Sequence, residues 1–325
     1  MNAYLPDSPL VPLAMAAMVA GLLVVGYAQQ RAQGGRGWGS VITWSLLVAG
    51  IGAVHRLASG EPAGVRMLAL IGYALVAMKA IVVVAERARG MAPLSLGRWL
   101  AFAVLWPGMQ PRLFAKPRRG PLPGAGALFR RGAINAIAGE ALIVLAWLAW
   151  RWWHSHLMVT VLLLPGLSLL LHFGFCNLLA GAWRLAGVPC AALFRAPLQA
   201  RSLGEFWSRR WNLAFSEMTS IAVYRPLEKR VGRPLAVYSG FAVSGLLHEV
   251  AISLPVRAGF GLPLLYFLLH GALVLIEGVL ARRGLAPRGW LGRAWTLFWL
   301  AAPLPILFHG WFLAGVVWPL VGAGP

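Results

Sequence analysis

Charge is scarce in this sequence, and negative charge is scarcest. Only 12% of its 325 residues are charged, and Asp and Glu together number nine, a single Asp among them. An average soluble domain carries roughly 25% charged residues, so this chain has too little polar surface to solvate a globule. Cysteine is equally sparse: Cys176 and Cys190 lie 14 positions apart, with no CxxC spacing and no His at ligand distance. Neither a disulfide framework nor a zinc site is indicated, and no metal is expected. The opening MNAYLPDSPL has no basic region ahead of the first apolar run, which therefore reads as a retained span and not as a cleaved signal.

What the sequence has in abundance is apolar surface, 59% of its residues. A helix needs about 20 such residues to cross the hydrocarbon core. Runs of that kind fall near 10–28, 38–54, 67–85, 132–150, 157–178, 235–255, 261–280 and 294–318. The expected fold is an all-α, polytopic transmembrane bundle of about eight spans. The run at 98–109 (RWLAFAVLWPGM) is shorter and closes on Trp106-Pro107-Gly108, so it is read as re-entrant or interfacial.

The 29 Lys and Arg residues give a formal charge of +20. They sit in clusters between the apolar runs: Arg31 and Arg36, then Arg87, Arg89 and Arg98, then Arg112 to Arg131, then Arg282 to Arg293. With eight crossings these clusters share one side, which the positive-inside rule makes cytoplasmic, and both termini face the other. The clustering argues against a nucleic-acid partner. It suits anionic lipid headgroups or a phosphorylated cosubstrate. Arg far outnumbers Lys, and Ala and Gly abound, as a GC-rich genome produces; a bacterial cytoplasmic membrane is expected on that footing.

The longest stretch between spans, roughly 183–234, is basic. Within it Leu203, Trp207, Trp211, Ala214, Met218 and Ile221 recur at spacings of three and four, opposite a polar stripe of Glu205, Ser208, Asn212 and Ser216. That pattern predicts an amphipathic helix lying in the membrane interface.

Polar residues inside spans are costly and are functional candidates. They are Lys79, Glu140, His172, Asn177, His248, Glu249, His270 and Glu277. His248 lies 13 residues past Leu235, about 20 Å along the helix axis and well inside the core. There the ring is neutral, and it is either a general base for a hydroxyl or a polar knot between helices. Glu249 points about 100° away from it on a helix, towards another helix. His-Glu-Val-Ala-Ile lacks the second His of a zinc-protease motif. His270 and Glu277 are two turns apart on one face, which favours an interhelical role. Lys79 is read as snorkelling to the cytoplasmic interface. Glu140, His172 and Asn177 are read as helix-to-helix hydrogen-bonding groups.

Ser202-Leu-Gly-Glu-Phe-Trp-Ser-Arg-Arg-Trp-Asn212 resembles the membrane-bound O-acyltransferase family, in its wax-synthase-like branch. Val-Ser-Gly-Leu-Leu-His-Glu at 243–249, Leu-His-Gly at 269–271 with Glu277, and Trp106-Pro-Gly-Met109 are similar to further family elements, in the same order. The resemblance spans about residues 98–285. It divides the chain into N-terminal transmembrane helices (1–97), an acyltransferase core (98–285) and a C-terminal transmembrane helix (286–325). It implies transfer of an acyl group from acyl-CoA, a co-substrate and not a permanent cofactor, to the hydroxyl of a lipophilic alcohol. By the same resemblance His248 is the catalytic base and Asn212 the second catalytic residue. Arg209, Arg210, Trp207, Trp211, Glu249, His270 and Glu277 are candidate substrate-binding residues, the arginines through CoA phosphates. The alternative is a transporter or channel in which His248, Glu249, His270 and Glu277 line a path. That reading calls for paired broken helices and inverted symmetry, which the sequence does not display.

Overall fold

The computed structural model describes residues 3–32 and 37–324, and every regular element among them is helical. Arg36, counted above in the first basic cluster, lies outside the described residues. The spanning helices are α1 (Leu10–Arg31), α2 (Trp38–Leu57), α3 (Ala63–Ala88), α5 (Ala125–Trp153), α6 (His156–Leu185), α9 (Arg233–Val256) and α10 (Leu262–Arg282). These seven are long and apolar enough to cross a membrane; α11 (Gly289–Leu307) and α12 (Gly310–Val321), bent by 66° at their junction, supply an eighth crossing if they count as one broken span. The chain is a multi-pass integral membrane protein. The short helices are α4 (Leu96–Val104), α7 (Leu213–Thr219) and α8 (Arg225–Val231). At nine residues, or about 13 Å, α4 is too short to span, and the chain turns after it through Trp106-Pro107-Gly108.

Helix α3 is the central post. Two-thirds of its apolar window is buried, whereas α1 and α2 turn most of their surface outward to lipid. Its residues Val76 to Val84 are all buried, as a helix inside a bundle must be. Small residues let neighbours approach. A Cβ at Gly50 of α2 would fall 2.0 Å from the Tyr73 hydroxyl, which donates to the Leu46 carbonyl at 3.0 Å. A Cβ at Gly139 of α5 would meet the backbone of α6 at 2.6 Å, the close crossing expected of small residues in membrane helices.

Two spans change winding near the core. Ser168–Phe175 of α6 and Glu249–Ser253 of α9 are π-helical, and the second begins directly after His248. π-Turns re-aim side chains and concentrate at functional sites.

Several expectations are corrected. The 203–221 stretch is not one amphipathic helix. A helical turn at Leu203–Glu205 runs into a π-turn at Phe206–Arg210, the chain extends at Trp211, turns left-handed at Asn212 and restarts as α7. Leu213, Ala214, Met218 and Ile221 are buried in the protein core, so the apolar stripe faces protein. Lys79 does not snorkel: it is fully buried and turned inward. Asn177 and His172 bond within their own helix, to the Phe173 carbonyl at 2.7 Å and the Ser168 hydroxyl at 3.2 Å. Glu140 lies on the exposed face of α5.

Candidate active site

The site is built around His248. Its Nδ1 lies 2.7 Å from the Ser244 carbonyl one turn back in α9. A carbonyl oxygen only accepts, so Nδ1 carries the proton and Nε2 is left with its lone pair. The ring is flanked by Phe267 of α10 (centroids 4.2 Å apart) and Phe215 of α7 (5.8 Å).

Asn212 bonds the backbone of the same Phe215. Its backbone is left-handed (φ 42°, ψ 60°), a conformation that Asn tolerates better than other side-chain-bearing residues. Its Oδ1 caps α7 by accepting from the Phe215 amide at 3.3 Å, which leaves the Nδ2 amide group to donate elsewhere. The break in the helix leaves Asn212 beside Phe215, whose ring adjoins the imidazole of His248.

The candidate binding residues divide by what they hold. Trp207 donates through Nε1 to His270 Nδ1 at 2.9 Å and packs its ring on Phe267, the residue that also covers His248. His270 is fully buried and stacks on Tyr266. Glu277 accepts from the Leu203 and Gly204 amides (2.9 and 3.1 Å) and from Trp295 Nε1 (3.0 Å), anchoring the start of the segment that ends at Asn212. Glu249 accepts from the Gly261 and Leu264 amides (3.0 and 2.9 Å) and so tethers α10 at its N-terminus. Trp211 packs among Phe206, Phe194 and His172. Arg210 pairs with Glu205 at 2.7 Å and donates to the Ala196 carbonyl. The Arg201 amide and then Arg210 hold the Glu205 carboxyl below its ordinary range, against a desolvating influence. Arg209 alone among these is exposed.

The structure gives Lys79 a buried partner in place of the expected path to water, and adds Glu217, which the sequence did not single out. Lys79 Nζ donates to the Trp106 and Gly108 carbonyls, both at 2.5 Å, and lies over the Phe102 ring. On the far side of that turn, Glu217 of α7 accepts from the Met109 amide (2.9 Å) and Gln110 Nε2 (2.7 Å). The Trp106–Met109 turn is therefore gripped between α3 and α7, the helix that Asn212 caps. Burial pushes the Glu217 carboxyl up, opposed by the Met109 amide, Gln110 and Lys79.

Glu217 also lines a cavity of about 470 Å³, with Arg112, Arg195, Arg225, Ser208 and Ser216 on its walls. Buried Glu86 at its rim pairs with Arg112, Arg89 (3.3 Å) and Arg225 (3.4 Å), three arginines on one carboxylate. The Ser216 amide bonds the Asn212 carbonyl, so the cavity wall stands one helical turn from Asn212. The sequence signal was present in the scarcity of acid: with only nine Asp and Glu residues, each buried one has a structural task.

A basic imidazole, a side-chain amide and an arginine-lined cavity thus stand within one helical membrane bundle. Residues 190–269, which include Asn212 and His248, match the model of the Membrane bound O-acyl transferase family. Over 106 residues the chain is 37% identical to probable long-chain-alcohol O-fatty-acyltransferase 7 of Arabidopsis thaliana, covering 30% of this chain and 31% of that protein. It is 34% identical over 98 residues to the long-chain-alcohol O-fatty-acyltransferase of Simmondsia chinensis (27% and 28%). It is 38% identical over 64 residues to acyl-CoA–sterol O-acyltransferase 1 of Arabidopsis thaliana (18% and 19%). The matches thus span about a third or less of each relative's length. Over this stretch the chain is similar to the membrane-bound O-acyltransferase family and to relatives of its wax-synthase-like branch. These relatives are plant proteins and lend no support to the bacterial source expected from composition.

Proposed function

We propose that the protein transfers an acyl group from acyl-CoA to the hydroxyl of a lipophilic alcohol, with His248 as general base. The observation that carries this reading is the bond from His248 Nδ1 to the Ser244 carbonyl, which holds the imidazole neutral-ready with Nε2 as its basic atom. The alcohol gives its proton to Nε2 as its oxygen attacks the thioester carbonyl. The tetrahedral oxyanion accepts from Asn212 Nδ2, the C–S bond breaks, and the imidazolium returns the proton to the CoA thiolate. No covalent enzyme intermediate is needed. Phe215 and Phe267 exclude water, the competing nucleophile.

The donor approaches through the 470 Å³ cavity, where Arg112, Arg195 and Arg225 offer guanidinium forks to its phosphates. Arg195 is in no ion pair among the described residues and Arg112 and Arg225 share the single Glu86 carboxylate with Arg89, whereas Arg210 has Glu205 to itself, so the phosphate contacts fall mainly outside the Arg209–Arg210 pair. Trp207, His270, Glu249 and Glu277 position the backbone around the two catalytic groups. The names of the relatives favour long-chain alcohols first and sterols second as acceptors.

The test is thiol release by the purified protein from acetyl-, octanoyl- and palmitoyl-CoA, against long-chain alcohols, a sterol and diacylglycerol. Release that requires an alcohol, with the matching ester as product, supports the reading. Folded protein that releases no thiol with any acceptor contradicts it and favours the transporter alternative.

A further inference from the structure

At the end of the bundle away from Glu86, two arginines and a histidine meet without an acidic ion-pair partner among the described residues. His55 stands in the last turn of α2, Arg66 in the first turn of α3, and Arg257 directly after α9 with a left-handed backbone (φ 56°). Each lies close enough to act electrostatically on another: Arg257 and Arg66 on His55, and Arg257 on Arg66. Arg66 Nε and His55 Nδ1 are buried and have no hydrogen-bond partner. Arg257 spends one nitrogen on the Ser59 carbonyl, at 2.5 Å. Among the described residues the ion pairs all lie elsewhere, on Glu86 and Glu205. Glu61, the nearest acid in sequence, is committed to the Asp7 and Ser8 amides at 2.7 and 3.2 Å.

Such a cluster is unfavourable as it stands. Like charges repel, a desolvated guanidinium N–H without an acceptor forfeits its hydration, and a cation in the first turn of α3 opposes the helix dipole. An anion would reverse all three effects. We propose that His55, Arg66 and Arg257 form a binding site for a phosphate group. Two guanidinium forks and an imidazole converging from three elements suit a tetrahedral oxyanion, whose several acceptor oxygens outnumber those of a carboxylate. Arg66 lies 20 residues from Glu86 along α3, about 30 Å, the thickness of the hydrocarbon core. The site is therefore at the opposite membrane interface from the arginine-lined cavity, at the depth where lipid phosphates lie. An occupant would tie α2 and α3 to α9, the helix that carries His248.

The test uses thermal unfolding of the purified full-length chain in neutral detergent, with added inorganic phosphate, phosphatidylglycerol or an uncharged diacylglycerol. The expected result is a midpoint raised by several degrees with a phosphate-bearing probe and unmoved by diacylglycerol. The rise is lost in Arg66→Gln and reduced in Arg257→Gln. Stabilisation by phosphatidylglycerol alone identifies a lipid headgroup as the occupant, and equal stabilisation by inorganic phosphate identifies a small free anion. Without any probe, Arg66→Gln unfolds no earlier than wild type, because it removes an unpaired charge. A wild-type midpoint that no phosphate probe moves, or a rise that survives intact in both variants, overturns the proposal. No part of this readout depends on acyl transfer.

Discussion

The imidazole Nδ1 of His248 lies 2.7 Å from the main-chain carbonyl of Ser244, one turn earlier in the same helix. Because the acceptor is backbone, the proton on Nδ1 is fixed by the helix and not by a side chain. Ser244→Ala, which loses only the hydroxyl's bond to the Gly240 carbonyl, should therefore keep near-wild-type activity and lose at most about 1 kcal/mol of stability. Gly245→Val should behave differently. A Cβ there would lie 2.8 Å from Leu264 Cδ1 and 3.0 Å from its Cα, forcing α9 from α10 at a cost of about 1–3 kcal/mol. Thermal midpoints and specific activity of the two variants check this contrast.

Asn212 has two separable tasks, the left-handed cap of α7 and the free amide donor. Asn212→Asp keeps an acceptor for the Phe215 amide and removes the donor, so kcat should fall roughly 10²–10³-fold with little change in thermal midpoint. Asn212→Gly accepts the positive φ and sacrifices the cap for only a few tenths of a kcal/mol, and it should be equally inactive while folded. Steady-state kinetics alongside unfolding curves separate the two tasks. Activity near wild type in either variant would reduce Asn212 to a turn residue.

How the site came to be legible in part follows from which residues act through side-chain identity. His248 and Asn212 stood out because a neutral His deep in a span and the FWSRRWN string are visible in one dimension. The eight apolar runs were equally visible, since span length is set by bilayer thickness. The break at Trp211–Asn212 was not. Leu203, Trp207, Trp211, Ala214 and Met218 keep a helical spacing through it, and periodicity records which residues are buried without recording where the backbone turns. Lys79 misled for a related reason. A lysine near a span end has a cheap path to water, and only the neighbouring Trp106–Gly108 carbonyls make burial cheaper still. The basic cavity joins Glu86, Arg112, Arg195 and Glu217 from four segments far apart in the chain, so no local pattern announces it.

The grip on the Trp106–Met109 turn makes Lys79 a structural residue. Lys79→Met leaves the Trp106 and Gly108 carbonyls without their donor in a buried place, and should destabilise the protein by about 1–3 kcal/mol. A thermal midpoint equal to wild type would show that the turn holds without it.

Glu217, on the other side of the turn, carries a pH dependence. Burial raises its carboxyl in the folded protein, so its titration favours the folded state fully below the unfolded value of about 4.5. That contribution is lost as the pH rises through the raised folded value. Glu217→Gln keeps an acceptor for the Met109 amide and cannot ionise. It should be at least as stable as wild type at neutral pH, with the difference fading as the pH falls into the carboxylate range. Glu217→Ala should be less stable at both. Unfolding midpoints across pH 4 to 8, a range of roughly three units above the carboxylate value, give the comparison.

The central claim is that the free Nε2 of His248 takes the proton of the attacking alcohol. Its most direct test is the alcohol-dependent release of CoA thiol by wild type and by His248→Ala, each with a matched thermal midpoint to certify the fold. The account predicts that the folded His248→Ala protein releases no thiol above the uncatalysed rate at any alcohol concentration. A folded variant that still forms ester at a rate close to wild type would contradict it, and would leave His248 as a polar knot between helices.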